Sequence, residues 1–294
     1  MRVAFCSTLV LLLLSGCAST SAIDQPYSYD PDQSRALNLA HSVGLDELDD
    51  TVVSKNQLSD GIGGAVTLGL DTASFMSPSG LNLNFGPALG AGLLMSMAEP
   101  KAQIKRDSII AWVPEAKVPD TGQGTAEGRV LRWLSDSLAS ATIDAMDELN
   151  IEHEVKNQHR DFGLPFMFSD YLTEIKGLTA SGIECKGYFR VKEGSVSERM
   201  PLPAFLPVSG YGYKVYAGDD RRYPAGFAAC FGKGVSELNQ KFQALVSEKL
   251  PPTVFMYKPP ANLGERGVRP PYILDQGKQL LFVKIKEDEQ SGDY

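Results

Sequence analysis

Residues 126–149 read AEGRVLRWLSDSLASATIDAMDEL. Apolar side chains recur in this stretch every three or four positions, which places them on one face of an α-helix. They are Leu131, Leu134, Leu138, Ala141, Ala145 and Leu149. Thr125 precedes the stretch and is a favourable N-cap, because its hydroxyl can accept a hydrogen bond from a free N–H of the first turn. The sequence therefore predicts one long amphipathic helix with an apolar face to bury.

Short apolar segments around this helix predict the sheet that covers that face. A second amphipathic helix is predicted at 235–250, where Pro251-Pro252 ends it. Strands are predicted at 108–113, 183–191, 212–216, 253–257, 272–275 and 279–285, the last two joined as a hairpin by Gln-Gly-Lys. We therefore predict an α+β fold with a mixed or antiparallel sheet, helices packed on one face, and a short helical and Gly-rich region before it.

The start of the chain has the pattern of an export signal. Arg2 is followed by an apolar run from Val3 to Leu14, which is too short to span a bilayer as a stable anchor. The run ends in Leu14-Ser15-Gly16-Cys17, which resembles the lipobox of bacterial lipoprotein precursors. The resemblance implies cleavage before Cys17 and acylation of its thiol and new amino terminus, with diacylglycerol and palmitate. The alternative is an ordinary signal peptide in which Cys17 has no such role.

An acylated Cys17 implies that the mature chain lies on a membrane, since two or more acyl chains give lasting attachment. In lipoproteins of this kind an aspartate directly after the cysteine tends to cause retention at the inner membrane, and this chain has Ala18 there. The resemblance therefore implies the outer membrane, with the body facing the periplasm or, alternatively, the cell surface. Residues 17–33 are polar and predict a flexible tether that reaches up to ~50 Å at ~3.3 Å per residue.

Composition divides the remaining chain into segments. After the signal peptide (1–16) and the lipidated tether (17–33), we predict a helical and Gly-rich region at 34–100, an α+β domain at 101–286 and a polar tail at 287–294. The first of these regions begins with an amphipathic helix predicted over residues 34–48.

The stretch from Gly61 to Ala98 has an unusual composition. It is rich in glycine, and Asp71 is its only charged residue. We interpret it as a loop followed by a short packed helix at 87–98, with Pro87 at the helix start. The alternatives are self-association or docking onto an envelope protein partner through this uncharged surface, and contact with the membrane.

Charge and cysteine usage limit the classes of partner and site. Removal of Arg2 with the signal leaves 27 basic residues against 36 acidic ones. This balance argues against nucleic acid as a partner, because nucleic acid selects for basic surfaces. The body contains only Cys185 and Cys230, which in an oxidising compartment predict one disulfide. Two free buried thiols, or a redox or metal role, are the alternatives.

The sequence carries no recognisable catalytic or cofactor motif. His153 and His159 lie near Glu152 and Asp161, but without the spacing of a helical metal site, so the segment is interpreted as a charged connector. The stretch Gly226–Gly234 has a glycine spacing one residue too long for a phosphate-binding loop and predicts a turn into the second helix. We predict no catalytic, cofactor-binding or metal-binding residue.

These observations lead to one leading hypothesis and two alternatives. The leading hypothesis is a non-enzymatic outer-membrane lipoprotein that serves as a scaffold or accessory subunit of a cell-envelope assembly of the secretion, conjugation or pilus type. The first alternative is a periplasmic hydrolase whose site is assembled from sequence-distant residues such as Glu152, His153, His159 and Asp161. The second is a carrier of a small or lipidic ligand, which requires a deep apolar pocket.

Overall fold

A computed structural model describes residues 27–53, 107–118, 120, 124–160, 170–192, 194–217, 226–262, 268–269 and 271–285. The helices are α1 (Arg35–Ser42), α2 (Ala126–Glu148) and α3 (Ser236–Lys249), with a 3-10 turn at Glu115–Lys117. The strands are β1 (Thr51–Val53), β2 (Ser108–Pro114), β3 (Glu152–Arg160), β4 (Asp170–Leu178), β5 (Glu184–Lys192), β6 (Val196–Pro201), β7 (Tyr211–Ala217), β8 (Gly226–Phe231), β9 (Val254–Lys258), β10 (Ala261–Asn262), β11 (Val268–Arg269), β12 (Tyr272–Asp275), β13 (Lys278–Leu281) and β14 (Val283–Ile285).

Two antiparallel sheets carry most of these strands. One sheet has six strands in the order β13-β12-β9-β2-β7-β6, and the other has four in the order β3-β4-β5-β8. The short strand β1 pairs in parallel with β14, and β10 pairs with β11. The predicted α+β fold with an antiparallel sheet is confirmed.

A long antiparallel ribbon joins the two sheets. Strand β5 of the four-stranded sheet is followed after a short bend by β6 of the six-stranded sheet. Strand β6 pairs with β7, and β5 pairs with β8, which follows β7 along the chain. At the bend, Tyr216 N–H still donates to the carbonyl of Ser195. The Gly194 N–H donates to the carboxylate of Glu127 in the first turn of α2. The ribbon therefore changes sheet at the point where α2 begins.

One hydrophobic core lies between the two sheets and holds α2 and α3. Thr125 caps α2 as predicted, because its hydroxyl accepts the Gly128 N–H at 3.0 Å. Both helices pack on the same face of the six-stranded sheet, which confirms their predicted placement. The core contains Leu131, Leu134 and Leu138 of α2, Phe242 and Val246 of α3, and the inward side chains of β2, β4, β5, β8, β9 and β12.

Two glycines of the four-stranded sheet allow α2 to lie close to it. A Cβ atom on Gly187 would lie 2.6 Å from Thr142 Cγ2, and one on Gly177 would lie 2.6 Å from Ile151 Cγ2 and 3.0 Å from Met146 Sδ. Distances this short do not occur between real carbon atoms, so any larger residue would displace the helix. We call Gly177 and Gly187 the glycine notch.

Helix α1 covers the opposite face of the six-stranded sheet. Its apolar side chains join a second buried cluster with Ile110, Trp112, Phe255 and Ile273. The indole N–H of Trp112 donates to Ser42 Oγ at 3.1 Å, which fixes the end of α1 on the sheet. The helix thus belongs to the packed body.

Helix α1 is shorter than the predicted range 34–48. Gly44 has a φ of +87°, its N–H donates to the carbonyl of His41, and the Leu45 N–H donates to the carbonyl of Ala40. This is the Schellman arrangement that ends a helix at a glycine in the left-handed region. The predicted continuation to Leu48 is therefore wrong.

The chain before α1 lies against the body from Tyr27 onwards. The Tyr27 hydroxyl donates to Asn38 Oδ1 at 3.1 Å, and the Asp30 N–H donates to the same oxygen at 2.8 Å. Asn38 is fully buried in α1. Residues 27–33, part of the predicted tether, are thus held at defined positions, and residues 18–26 lie outside the described residues.

Other sequence predictions have mixed outcomes. The hairpin around Gln276 and Gly277 forms between β12 and β13. Of the predicted glycine turn at Gly226–Gly234, only residues 232–234 form a turn into α3, and residues 226–231 form strand β8. The predicted charged connector after α2 is wrong, because residues 152–160 form strand β3. The stretch Gly61–Ala98, with its predicted helix at 87–98, lies outside the described residues.

We expect Gly187→Ala to lower the free energy of unfolding by about 1–3 kcal/mol, the usual cost of overpacking a core. The new methyl group collides with Thr142 Cγ2. Urea unfolding measures the loss. In a Thr142→Ala background the same substitution should cost clearly less, because the colliding methyl is gone. Equal costs in both backgrounds would show that the notch does not control the approach of α2.

We expect Asp50→Asn to stabilise the protein at neutral pH and not at pH 3. Burial raises the pKa of Asp50 above its ordinary value of 3.8, although hydrogen bonds from Ser34 act in the opposite direction. Within the described chain no donor reaches its buried Oδ1 atom. The folded state thus binds the proton more tightly than the unfolded state, so stability falls as pH rises from about 4 through the raised pKa.

The measurement is the free energy of unfolding from pH 3 to pH 7, with Asp46→Asn as the exposed control. Asp50→Asn should flatten the decline with rising pH. An unchanged slope of the free energy of unfolding against pH would contradict the assignment of this decline to Asp50.

Candidate interaction surface

The structure places the predicted site residues at very different positions. Cys17 and the Gly61–Ala98 stretch lie outside the described residues. Cys185 and Cys230 form the predicted disulfide, which is confirmed. They are directly opposite each other on β5 and β8, and both are buried in the core between the sheets.

The disulfide is connected to α3 by the partly buried Asn239 and the buried Gln243. The Cys230 N–H donates to Asn239 Oδ1 at 2.9 Å, and Gln243 Nε2 donates to the same oxygen at 3.3 Å. Gln243 Oε1 in turn accepts from the Tyr272 hydroxyl on β12 at 3.4 Å. These side chains link the edge strand of one sheet to the interior of the other through α3.

The histidine segment does not form a convergent site in its described part. Glu152 and His153 are neighbours on β3, so their side chains point to opposite faces of the strand. His153 Nδ1 lies 3.3 Å from the carbonyl of Ile151 and 3.6 Å from Asp147 Oδ1. The side chain of His159 and the whole of Asp161 are outside the described part. Among described residues, no three His, Cys, Asp or Glu side chains are grouped so that they could hold a metal ion.

The outer face of the four-stranded sheet carries an apolar strip. We call Leu178, Tyr188, Phe227 and Phe231 the outer strip. Tyr188 and Phe227 lie opposite each other on β5 and β8 with ring centroids 5.7 Å apart, and Phe231 contacts Phe227 edge-on at 6.1 Å. Leu178 and Phe231 are 54% and 49% exposed. Clustered exposed aromatic residues are typical of protein interfaces.

Charged residues border the outer strip. Glu174 lies between two lysines, with its Oε1 2.7 Å from Lys186 Nζ and 3.5 Å from Lys176 Nζ. Lys186 Nζ also lies 5.4 Å from the centroid of the Tyr188 ring, within the range of a cation–π contact. Glu184 lies between Leu178 and Phe231, so the surface combines apolar and charged contacts, as protein–protein interfaces commonly do.

Two of the four edge strands, β3 and β6, are irregular. The ladder of β3 is irregular at two places, between Val155 and Asn157 and between Gln158 and Arg160. Strand β6 is irregular between Val196 and Arg199. Irregular edges are a common protection against edge-to-edge association. The other two edge strands, β8 and β13, pair regularly with their neighbours, and β8 carries Phe227 and Phe231 of the outer strip.

The β6 edge is also covered by side chains. Arg199 donates two hydrogen bonds of 2.8 Å to Glu115 and lies over the Tyr211 ring at 3.9 Å. The hydrogen bond from Arg199 lowers the pKa of Glu115, which keeps the carboxylate ionised. Tyr211 is 49% exposed, as Phe231 is, but it already has the guanidinium as a partner. It is a matched control position for the outer strip.

The outer strip is not among the sequence predictions. Phe227 and Phe231 are four residues apart on one strand and therefore share a face. The predicted turn in this stretch rests on its glycines alone, so the shared face of its aromatic residues does not enter the prediction. Leu178 joins them only through strand pairing, since both Leu178 and Phe231 oppose Glu184. Two local patterns in the sequence indicate this outer face: the alternation of polar and apolar side chains along β5, and the spacing of Phe227 and Phe231.

We expect removal of the disulfide to lower the free energy of unfolding by about 4 kcal/mol, from the loop entropy of its 45-residue separation. Urea unfolding of the Cys185→Ala/Cys230→Ala chain measures the loss. Chemical reduction of the unsubstituted protein should give a similar loss. Identical unfolding midpoints for the oxidised and reduced proteins would contradict a stabilising role.

In the described part of the chain, no helix has the length and apolar character needed to cross a membrane. Comparison with known proteins found no matching family model, no matching curated protein and no matching solved structure.

Proposed function

We propose that this chain is an outer-membrane lipoprotein, anchored through Cys17, that acts as an accessory subunit of a cell-envelope assembly and binds a protein partner through the outer strip. The observation that carries the proposal is the half-exposed apolar strip on the outer face of the four-stranded sheet. Phe231 and Leu178 leave about half of their surface exposed, and this is apolar area that the binding of a partner would remove from water.

The geometry specifies the chemistry of the partner surface. The partner needs an apolar group that covers Phe231 and Leu178. It also needs charged groups that pair with the lysines and carboxylates at the border of the strip. The acidic balance of the whole chain, net −8, further favours a partner with basic residues.

The anchor contributes by restricting where binding takes place. A lipid on Cys17 confines the body to a membrane surface, which raises its effective concentration toward other membrane-bound proteins. A modest interface is then sufficient for assembly. This combination of an anchor and a face-on docking surface supports an accessory role better than a purely soluble one.

The docking surface is tested by photocrosslinking in intact cells. The photoreactive residue p-benzoylphenylalanine replaces Tyr188 of the outer strip. We expect one discrete crosslinked protein species, and we expect Phe231→Asp in the same chain to reduce its yield at least fivefold. Phe231 is half exposed but lies opposite Glu184, so urea unfolding of the variant is measured alongside and the yields are compared where both chains are folded.

The matched control is Tyr211→Asp, a change at an equally exposed aromatic residue outside the strip. It should leave the crosslink yield unchanged. Equal losses for the two aspartate variants, or no discrete species from position 188, would overturn the proposed surface.

The anchor is tested separately. We expect Cys17→Ala to leave an unprocessed, unacylated precursor, because the thiol that receives the lipid is absent. Mass spectrometry of the mature amino terminus and membrane fractionation measure the effect. A Cys17→Ala chain that is processed and localised normally would contradict lipid attachment at this residue.

A further inference from the structure

We infer that the aromatic cluster formed by Tyr27, Tyr29 and Phe205 contacts the lipid surface and fixes the orientation of the folded body on the membrane. The inference rests on the proposed anchor at Cys17. It identifies a second contact with the membrane that is separate from the lipid itself.

The cluster is built from two distant parts of the chain. The Phe205 ring lies 6.1 Å from Tyr27, edge-on, and 5.7 Å from Tyr29. Phe205 belongs to the loop 202–210 between β6 and β7, which packs beside α1 through Leu202 and Leu206. The cluster is therefore attached to the rigid body.

Along the chain, the cluster is the part of the described body nearest to the anchor, because Tyr27 is the first described residue. From Cys17 to Tyr27 an extended chain spans about 35 Å at ~3.4 Å per residue. Tyr27 is held to α1 by its hydrogen bond to Asn38, so the chain from the anchor joins the folded body at this residue.

The chemistry of the cluster suits the interface between lipid and water. Tyr29 is 45% exposed and combines an apolar ring with a hydroxyl, which is the character of aromatic residues in interfacial belts. The loop 202–210 reads LPAFLPVSG and contains no charged residue. Ala204 and Pro207 in this loop are exposed beside Phe205, which extends the uncharged surface.

The neighbouring charges select the kind of lipid. Asp30 and Asp32 are close to the tyrosines along the chain, and Asp46 is close enough to help raise the pKa of Tyr27, after the effect of burial and of Asp30. Carboxylates are repelled by anionic headgroups. The surface therefore fits zwitterionic headgroups such as phosphatidylcholine or phosphatidylethanolamine.

The test uses the full-length, acylated protein on phosphatidylcholine vesicles and measures tryptophan quenching by brominated lipid. Phe205→Trp and Tyr29→Trp each place a tryptophan reporter in the cluster. Two positions are used so that one reporter remains if the other substitution disturbs folding. Phe231→Trp is the control, at a residue of similar exposure to Tyr29 on the outer strip. The signal of Trp112 and Trp133, measured in the unsubstituted chain, is subtracted.

We expect the reporters at 205 and 29 to be quenched at least twofold more than the reporter at 231. Flotation with the vesicles and equal quenching at all three positions would overturn the membrane contact and leave the anchor intact. Failure to float, together with an unmodified Cys17 by mass spectrometry, would overturn the anchor and with it this inference.

Discussion

The close approach of α2 to the four-stranded sheet is the constraint on which the rest of the body depends. Gly177 and Gly187 have no side chains, and Thr142 and Met146 occupy the space that other residues would fill. The inward faces of both sheets pack in the same core as this helix. Because the ribbon bends where Glu127 accepts the Gly194 N–H, the position of α2 also sets where the sheets meet.

Buried polar groups then fix the second helix and the end of the six-stranded sheet. Asn239 and Gln243 give α3 a single rotational setting, because each amide meets a defined partner on a different sheet. At the other end of the same core, the buried ammonium of Lys258 lies 2.6 Å from Asp107 Oδ2. Such groups add little net stability, but unpaired they are costly, so they discriminate against other packings of the same apolar residues.

The sequence was sufficient to predict the elements whose patterns are local. The apolar stripe and Thr125 identified α2, and the Gln276-Gly277 pair identified the hairpin of β12 and β13. Strand β3 was missed because its ladder is irregular twice and it lies at a sheet edge, so it lacks the alternation of a half-buried strand. The outer strip was missed because three strands contribute to it. Their register is fixed by packing on α2, and no short stretch of sequence records it.

The continuous ribbon of β5–β6 and β7–β8 has a consequence for how the body comes apart. Strands β5 and β6 are consecutive along the chain, as are β7 and β8, and each pair spans both sheets. Both sheets also share one core with α2 and α3, so we expect them to unfold together. A body of this kind offers proteases in its surroundings few partly folded forms to cut.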